Sequence, residues 1–267
     1  MMAKPDTTTK SARRLLSRTA LRKKLKATAS AKLVGKGRFV GFRRRAIGVK
    51  KLGGSLRGLT KCIHAHLESG GILPAIAKKS TTHRGGSWKG RSGGRRRGKA
   101  VDSQLSSIAN GRTPKRSLYK LTDIALKALD VQSLKLVCGQ LAVSSPNRAV
   151  GSAIDLVACR EDELVIIELK CGHDTGRTAP ARFRGKEQHM RGPLKTAKDC
   201  VQNRHLAQLA ASVEMFKSNQ HAMKAVASAG IKKITAKLMY VRDTNVELLD
   251  LPQWWIKRGS AILSSFK

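Results

Sequence analysis

The run Leu164-Val165-Ile166-Ile167-Glu168-Leu169-Lys170 is apolar for four residues and then carries two charges in its last three positions. Read as a β-strand, its period-two alternation puts Val165, Ile167 and Leu169 on one face and Glu168 with Lys170 on the other. Ala149–Cys159 also alternates, and the short acidic stretch around Glu161-Asp162 leaves room only for a tight antiparallel hairpin. If Glu161-Asp162 is the loop, Asp155 lies directly opposite Glu168. Like charges opposed across a ladder are destabilising unless something cationic lies between them. A divalent ion fills that role, because hard carboxylate oxygens suit Mg²⁺ or Mn²⁺. The competing reading is a solvated Asp/Glu/Lys set on a half-exposed hairpin, which the apolar neighbours Ile154, Leu156, Ile166, Ile167 and Leu169 oppose.

Gly151-Ser152-Ala153-Ile154-Asp155, followed after the turn by Glu168-Leu169-Lys170, resembles the D…(D/E)xK signature of the PD-(D/E)XK nuclease superfamily, closest in style to its RecB-like and lambda-exonuclease-like branch. Two further elements occur in that branch's order: Gly98-Lys99-Ala100-Val101-Asp102 upstream, and the helix segment His205-Leu206-Ala207-Gln208-Leu209 downstream. The resemblance spans roughly residues 98–242. It departs from the pattern at Ile154, where the family name has proline, and at Asp102, where many relatives carry His or Glu.

The resemblance implies a restriction-endonuclease-like α/β core and metal-dependent hydrolysis of DNA phosphodiesters, of exonuclease type. Asp155, Glu168 and the backbone carbonyl of Leu169 would hold one or two Mg²⁺ (or Mn²⁺) ions, with Asp102 as a further metal ligand. Lys170 would orient the attacking water or stabilise the pentacovalent phosphate, and Gln208 would position Lys170 or the water. His205, His173 and Asp174 are weaker candidates for phosphate contact. Some relatives bind an iron–sulfur cluster through four cysteines; the spacing of Cys62, Cys138, Cys159, Cys171 and Cys200 leads to the expectation of none here.

Positioning these groups falls to periodic segments that begin near residue 98. Val101, Leu105 and Ile108 recur at helical spacing, and Leu118, Leu121, Ile124, Ala125, Ala128 and Leu129 mark a stronger amphipathic helix. Leu134–Val143, Ala149–Cys159 and Leu164–Cys171 read as strands, and Val201–Lys217 as a helix with Leu206, Leu209, Ala210, Val213 and Phe216 on one side. Ile234–Val241 and Val246–Leu251 read as further strands. The order helix, helix, three strands, helix, strand predicts an α/β sandwich with a mixed central sheet flanked by helices.

Charge bounds the partner. The 267 residues hold 54 Lys and Arg against 17 Asp and Glu, a formal charge of +37. Residues 1–100 contain 28 of those cations and only Asp6 and Glu68 as acids, so they carry +26 of the total. Such density predicts phosphate binding. Residues 1–97 are expected to be a mostly disordered Lys/Arg/Gly-rich arm with room for short helices near Ser11–Lys26 and Leu59–Leu73, and residues 98–267 the nuclease-like domain. Gly172–Asp199 holds seven cations (Arg177, Arg182, Arg184, Lys186, Arg191, Lys195 and Lys198) against three acids, and reads as a basic clamp over DNA. With no helix-turn-helix or zinc finger in view, recognition is expected to follow the DNA backbone and not its sequence. Absence of a long apolar run argues against a membrane partner; a second copy of the chain or a recombination protein is the further partner expected. The setting expected is intracellular, in the nucleus (a host's, for a viral protein), with an organelle as the alternative. A structural DNA-condensing protein carrying an inactive nuclease-like domain is the competing function.

Overall fold

The apolar runs read as strands form the middle of one mixed sheet. The structure is a computed structural model that describes residues 18–29, 31–34, 41–45, 52–71, 73, 82–83, 86–87, 90–172 and 176–266. In chain order these form helix α1 (residues 18–27), strands β1 (Ala31–Val34), β2 (Gly41–Arg45) and β3 (Leu52–Gly58), helix α2 (Leu59–His66), the two-residue strands β4 (Thr82–His83) and β5 (Gly86–Ser87), and helices α3 (Gly90–Ala109) and α4 (Lys120–Val131). Then follow β6 (Lys135–Ser144), β7 (Val150–Arg160), β8 (Glu163–Cys171), β9 (Arg182–Phe183), β10 (Lys186–Glu187), a 3₁₀ turn at Gly192–Leu194, α5 (Val201–Lys217) and α6 (Gln220–Ser228). The chain closes with β11 (Lys233–Val241), β12 (Val246–Asp250), α7 (Gln253–Ile256) and α8 (Gly259–Ser264). No helix among the described residues is long and apolar enough to cross a membrane.

The main sheet runs β1-β2-β3-β7-β8-β11-β12, with β6 also paired to β7. β6–β7, β7–β8 and β11–β12 are antiparallel, whereas β3–β7 and β8–β11 are parallel. Central β8 is buried from Glu163 to Leu169, which explains its continuous apolar run: both faces are covered. Leu164 and Ile166 pack with α1, α2 and α5–α8 on one side. Val165, Ile167 and Leu169 pack with α3 and α4 on the other. The protein is thus an α/β sandwich with helices on both faces of a mixed sheet. Helix α4 starts at Lys120, later than Leu118, which is exposed. Buried Gln104 of α3 supplies its N-terminal partner, accepting from Tyr119 N–H at 3.0 Å and Thr122 Oγ1 at 2.7 Å.

Residues 1–97 are not an arm throughout, and the folded unit does not begin at residue 98. Leu21 and Leu25 of α1, Ala29, and Leu59, Cys62, Ile63 and Leu67 in and after α2 are buried in the same core as α5. Arg204 of α5 pairs with Glu68, and Asp199 accepts from Ser69 N–H at 2.6 Å. The physical reason is that average charge conceals local amphipathicity. In α1 the cations Lys23, Lys24 and Lys26 are exposed while leucines four residues apart face inward.

Strand β3 also shapes the sheet beside the site. On one edge of β7, β6 pairs from Gly151 to Cys159. The opposite edge is shared: β3 takes Val150 and Gly151, and β8 takes Leu156 to Arg160. Between them the sheet forks, and the residues left on that edge of the fork are Ser152 to Asp155.

Candidate active site

The hairpin has the expected loop, with Arg160 paired to Glu163 and Leu156 to Ile167. One step further this register sets Asp155 against Glu168, and there the ladder ends. The Leu169 N–H donates instead to Asp155 Oδ2 at 2.9 Å, so a side chain fills the place of a ladder bond at the mouth of the fork. The alternation of β7 also skips here. Leu156 and Ala158 pack against α3 and α4, but Ile154 joins Val157 on the α5 side. Asp155 therefore reaches into the fork, where the expectation was a carboxylate standing on one sheet face beside Glu168.

Gln140 of β6, which the sequence reading did not single out, lies across from Asp155, between the pairs Gly139–Leu156 and Leu141–Ile154. Its backbone is left-handed, with φ +51°, in the middle of a strand. This conformation is costly for a residue with a Cβ. Its Nε2 donates to both Asp155 Oδ1, at 3.2 Å, and Asp102 Oδ1, at 2.9 Å. Asp102, on α3, also accepts from Ser106 Oγ at 3.3 Å. The close approach of α3 depends on Gly139, where a Cβ would stand 2.7 Å from the Ser106 Cα. Asn110 holds the Gly139 backbone, accepting its N–H at 3.1 Å.

On the α5 side, Glu168 is only 2% exposed and its Oε1 accepts from Lys170 Nζ and from Gln208 Nε2, the latter at 2.6 Å. Lys170 Nζ also donates to Gln208 Oε1 at 3.3 Å. Gln208 thus faces the site, as its position off the Leu206/Leu209/Val213 stripe suggests. The groups form a line through the fork: Asp102, Gln140, Asp155, Glu168, then Lys170 with Gln208.

No protein-family model and no curated protein matches this chain.

The electrostatics are those of acids short of positive charge. Burial, and next the neighbouring Asp155, pushes Asp102 up to about 6. Burial likewise raises Asp155, against the pull of Lys170 and the Leu169 N–H. Burial and then Asp155 push Glu168 up to about 8. Burial alone would lower Lys170, but Glu168 and Asp155 outweigh it and hold the ammonium charged. Asp155 is half-buried.

A divalent cation fits this donor set. The Asp155 and Glu168 carboxyls are hard oxygen donors set next to each other, and such oxygens are what Mg²⁺ or Mn²⁺ takes. Among the described residues no group of three or more His, Cys, Asp or Glu is gathered closely enough to make a metal site by itself. The third carboxylate, Asp102, stands behind the Gln140 amide, so here it touches Asp155 through Gln140.

The other expected groups divide. His205 Nδ1 lies 3.0 Å from the Tyr240 hydroxyl, and Tyr240 follows Lys170 across the β8–β11 ladder. Arg177 of the basic segment is internal: it pairs with Glu247, donates to Gln202 Oε1 at 2.9 Å and lies 4.6 Å over the Tyr240 ring. Arg182, Arg184, Lys186, Arg191, Lys195 and Lys198 are exposed. His173 and Asp174 lie outside the described residues.

Proposed function

We propose that the protein is a metal-dependent deoxyribonuclease with a restriction-endonuclease-like core, binding DNA through its phosphates without regard to sequence. The observation that carries this reading is the placing of Asp155 and Glu168 at a fork in the sheet, Asp155 held by Gln140 Nε2 and the Leu169 N–H, and Glu168 by Lys170 Nζ and Gln208 Nε2. A purely structural protein has little use for such a cluster, because carboxyls buried in excess of their cations cost stability.

Asp155, Glu168 and the Leu169 carbonyl would hold Mg²⁺ or Mn²⁺, with Asp102 steering Asp155 through Gln140. Bound there, the cation would supply neutralisation of the phosphoryl oxygens and a more acidic water. Gln208 fixes the Lys170 ammonium and Glu168 together, so Lys170 presents its charge at a set place for the attacking water or the pentacovalent phosphate. Gln140 keeps Asp155 turned into the fork, and the Leu169 N–H fixes its second oxygen. The exposed cations of the basic segment and the excess charge of residues 1–100 would bind the rest of the polyanion.

The formal charge of +37 favours the competing function, DNA condensation by a protein with an inactive nuclease-like domain. Incubating the full chain with linear and closed-circular DNA, with Mg²⁺ or with EDTA, separates them. A nuclease degrades at least the linear form with Mg²⁺ and neither form with EDTA. Compaction or retardation with no cleavage under any divalent metal favours condensation.

A further inference from the structure

The β9–β10 hairpin takes no part in the hydrogen bonding of the carboxylate site, yet it is built as a rigid projection. Its two turn residues, Arg184 and Gly185, are both left-handed, with φ +48° and +76°, as a tight two-residue hairpin turn requires. Its base is tied down by four backbone bonds: Ala181 N–H to the Asp199 carbonyl at 2.7 Å, Gln188 N–H to the Ala181 carbonyl at 2.8 Å, Asp199 N–H to the Gln188 carbonyl at 2.9 Å, and Met190 N–H to the Ala197 carbonyl at 2.9 Å. Ala181, Met190 and Leu194 beneath it are buried. The Asp199 carboxylate, fully buried, accepts from Ser69 and from Arg204 Nε.

This base carries a tip of unusual composition. Arg182, Phe183, Arg184 and Lys186 are all exposed, and Phe183 keeps 56% of its surface in solvent. The Arg184 guanidinium lies over the ring, 5.4 Å from its centroid. Among the described residues none of the three cations is in an ion pair, and the adjacent Glu187 is engaged by Lys198 at 2.9 Å. A lone exposed apolar residue is ordinary on a protein surface. Here, however, it is the single apolar side chain of a stiff cationic tip. The hairpin is also inserted between the strand ending in Lys170 and Cys171 and the helix bearing Gln208.

We propose that Phe183 is a stacking platform for an unpaired base of a DNA strand, with Arg182, Arg184 and Lys186 on the flanking phosphates. A ring face stacks on any base, so the contact needs no sequence, and the cations match the strand's charge. This inference rests on the nuclease reading, since it assigns the strand's approach to the same site.

The test uses the full chain in EDTA and a duplex with a single-stranded overhang that carries 2-aminopurine. Wild-type protein should quench the probe by stacking. Phe183→Ala should lose the quenching and bind the overhang roughly tenfold to a hundredfold more weakly, while its affinity for blunt duplex stays within about twofold. Phe183→Trp should restore both signals, and an unchanged unfolding midpoint shows that the variants fold. If wild-type and Phe183→Ala proteins bind the overhang equally and quench equally, the platform is overturned while the nuclease reading stands. Failure of the wild-type chain to bind any DNA overturns both.

Discussion

Gln140 offers the sharpest test of how the site is held. Replacing it with alanine removes the two donations from Nε2, to Asp102 Oδ1 at 2.9 Å and Asp155 Oδ1 at 3.2 Å, and leaves the backbone at φ +51°. A hydrogen bond to a charged group is worth about 1.5–3 kcal/mol. Residues that orient metal ligands typically change affinity 10- to 100-fold, about 1.4–2.7 kcal/mol. The two figures agree, so Gln140→Ala should weaken Mn²⁺ binding about 10- to 100-fold in a calorimetric titration. Gln140→Gly loses the same donors but also relieves the backbone. The left-handed conformation costs a non-glycine residue about 1–2 kcal/mol, and glycine's extra chain entropy returns about 0.5–1 of that. Gln140→Gly should therefore be roughly 0.5–1 kcal/mol more stable than Gln140→Ala in urea unfolding without metal, the reverse of the order at an ordinary strand position. Wild-type Mn²⁺ affinity in Gln140→Ala would refute the bridge, and greater stability of the alanine variant would refute the strained backbone.

Three further outcomes follow from the packing and charge. The raised carboxyls of Asp102 (about 6) and Glu168 (about 8) mean that the folded, metal-free protein binds more protons than the unfolded chain above about pH 4.5. Their contribution to stability is thus fully present at lower pH and is lost as pH rises toward 8. Glu168→Gln should flatten that decline in urea titrations, and Mn²⁺ affinity of the wild type should climb between pH 6 and 8. Deleting residues 1–97 should abolish the cooperative unfolding transition, because it removes α1, α2, β3 and the buried Leu21, Leu25, Leu59, Ile63 and Leu67; a truncated protein with a sharp thermal transition would contradict the packing. Gly139→Ala should destabilise by about 1–3 kcal/mol, since its methyl would meet the α3 backbone at Ser106, and an unchanged midpoint would show that α3 lies farther from β6.

The centre of the fold was legible because its signals are local. Apolar and β-forming runs located β6, β8 and β11, alternation located β7, and the short Glu161-Asp162 loop set a register that runs to Leu156–Ile167 and, one step on, brings Asp155 to Glu168. Gln208 was legible only in part: the resemblance names it, but a polar residue off an apolar helix stripe can face solvent as readily as a site. Gln140 was not, because its role depends on an unusual φ and a partner on another element; Gly139 beside it, a glycine inside a strand-like run, was the available hint of close packing. The fork was also hidden. It arises where Arg57 and Gly58 of β3 pair with Val150 and Gly151, a long-range contact with no local signature. In residues 1–97 the two short helices expected near Ser11–Lys26 and Leu59–Leu73 are present as α1 and α2, but the density of lysine and arginine hid that their leucines belong to the core.

The central claim is that Asp155 and Glu168 bind the cation that cleaves DNA, and one comparison tests it most directly. Wild-type and Glu168→Gln proteins are incubated with end-labelled linear duplex, with Mg²⁺ or EDTA, and binding of the same duplex is measured in EDTA. The account predicts Mg²⁺-dependent shortening by the wild type, no shortening by Glu168→Gln, and equal binding by both. Cleavage by Glu168→Gln at the wild-type rate, or a wild type that binds DNA and never cleaves it with Mg²⁺ or Mn²⁺, would contradict it.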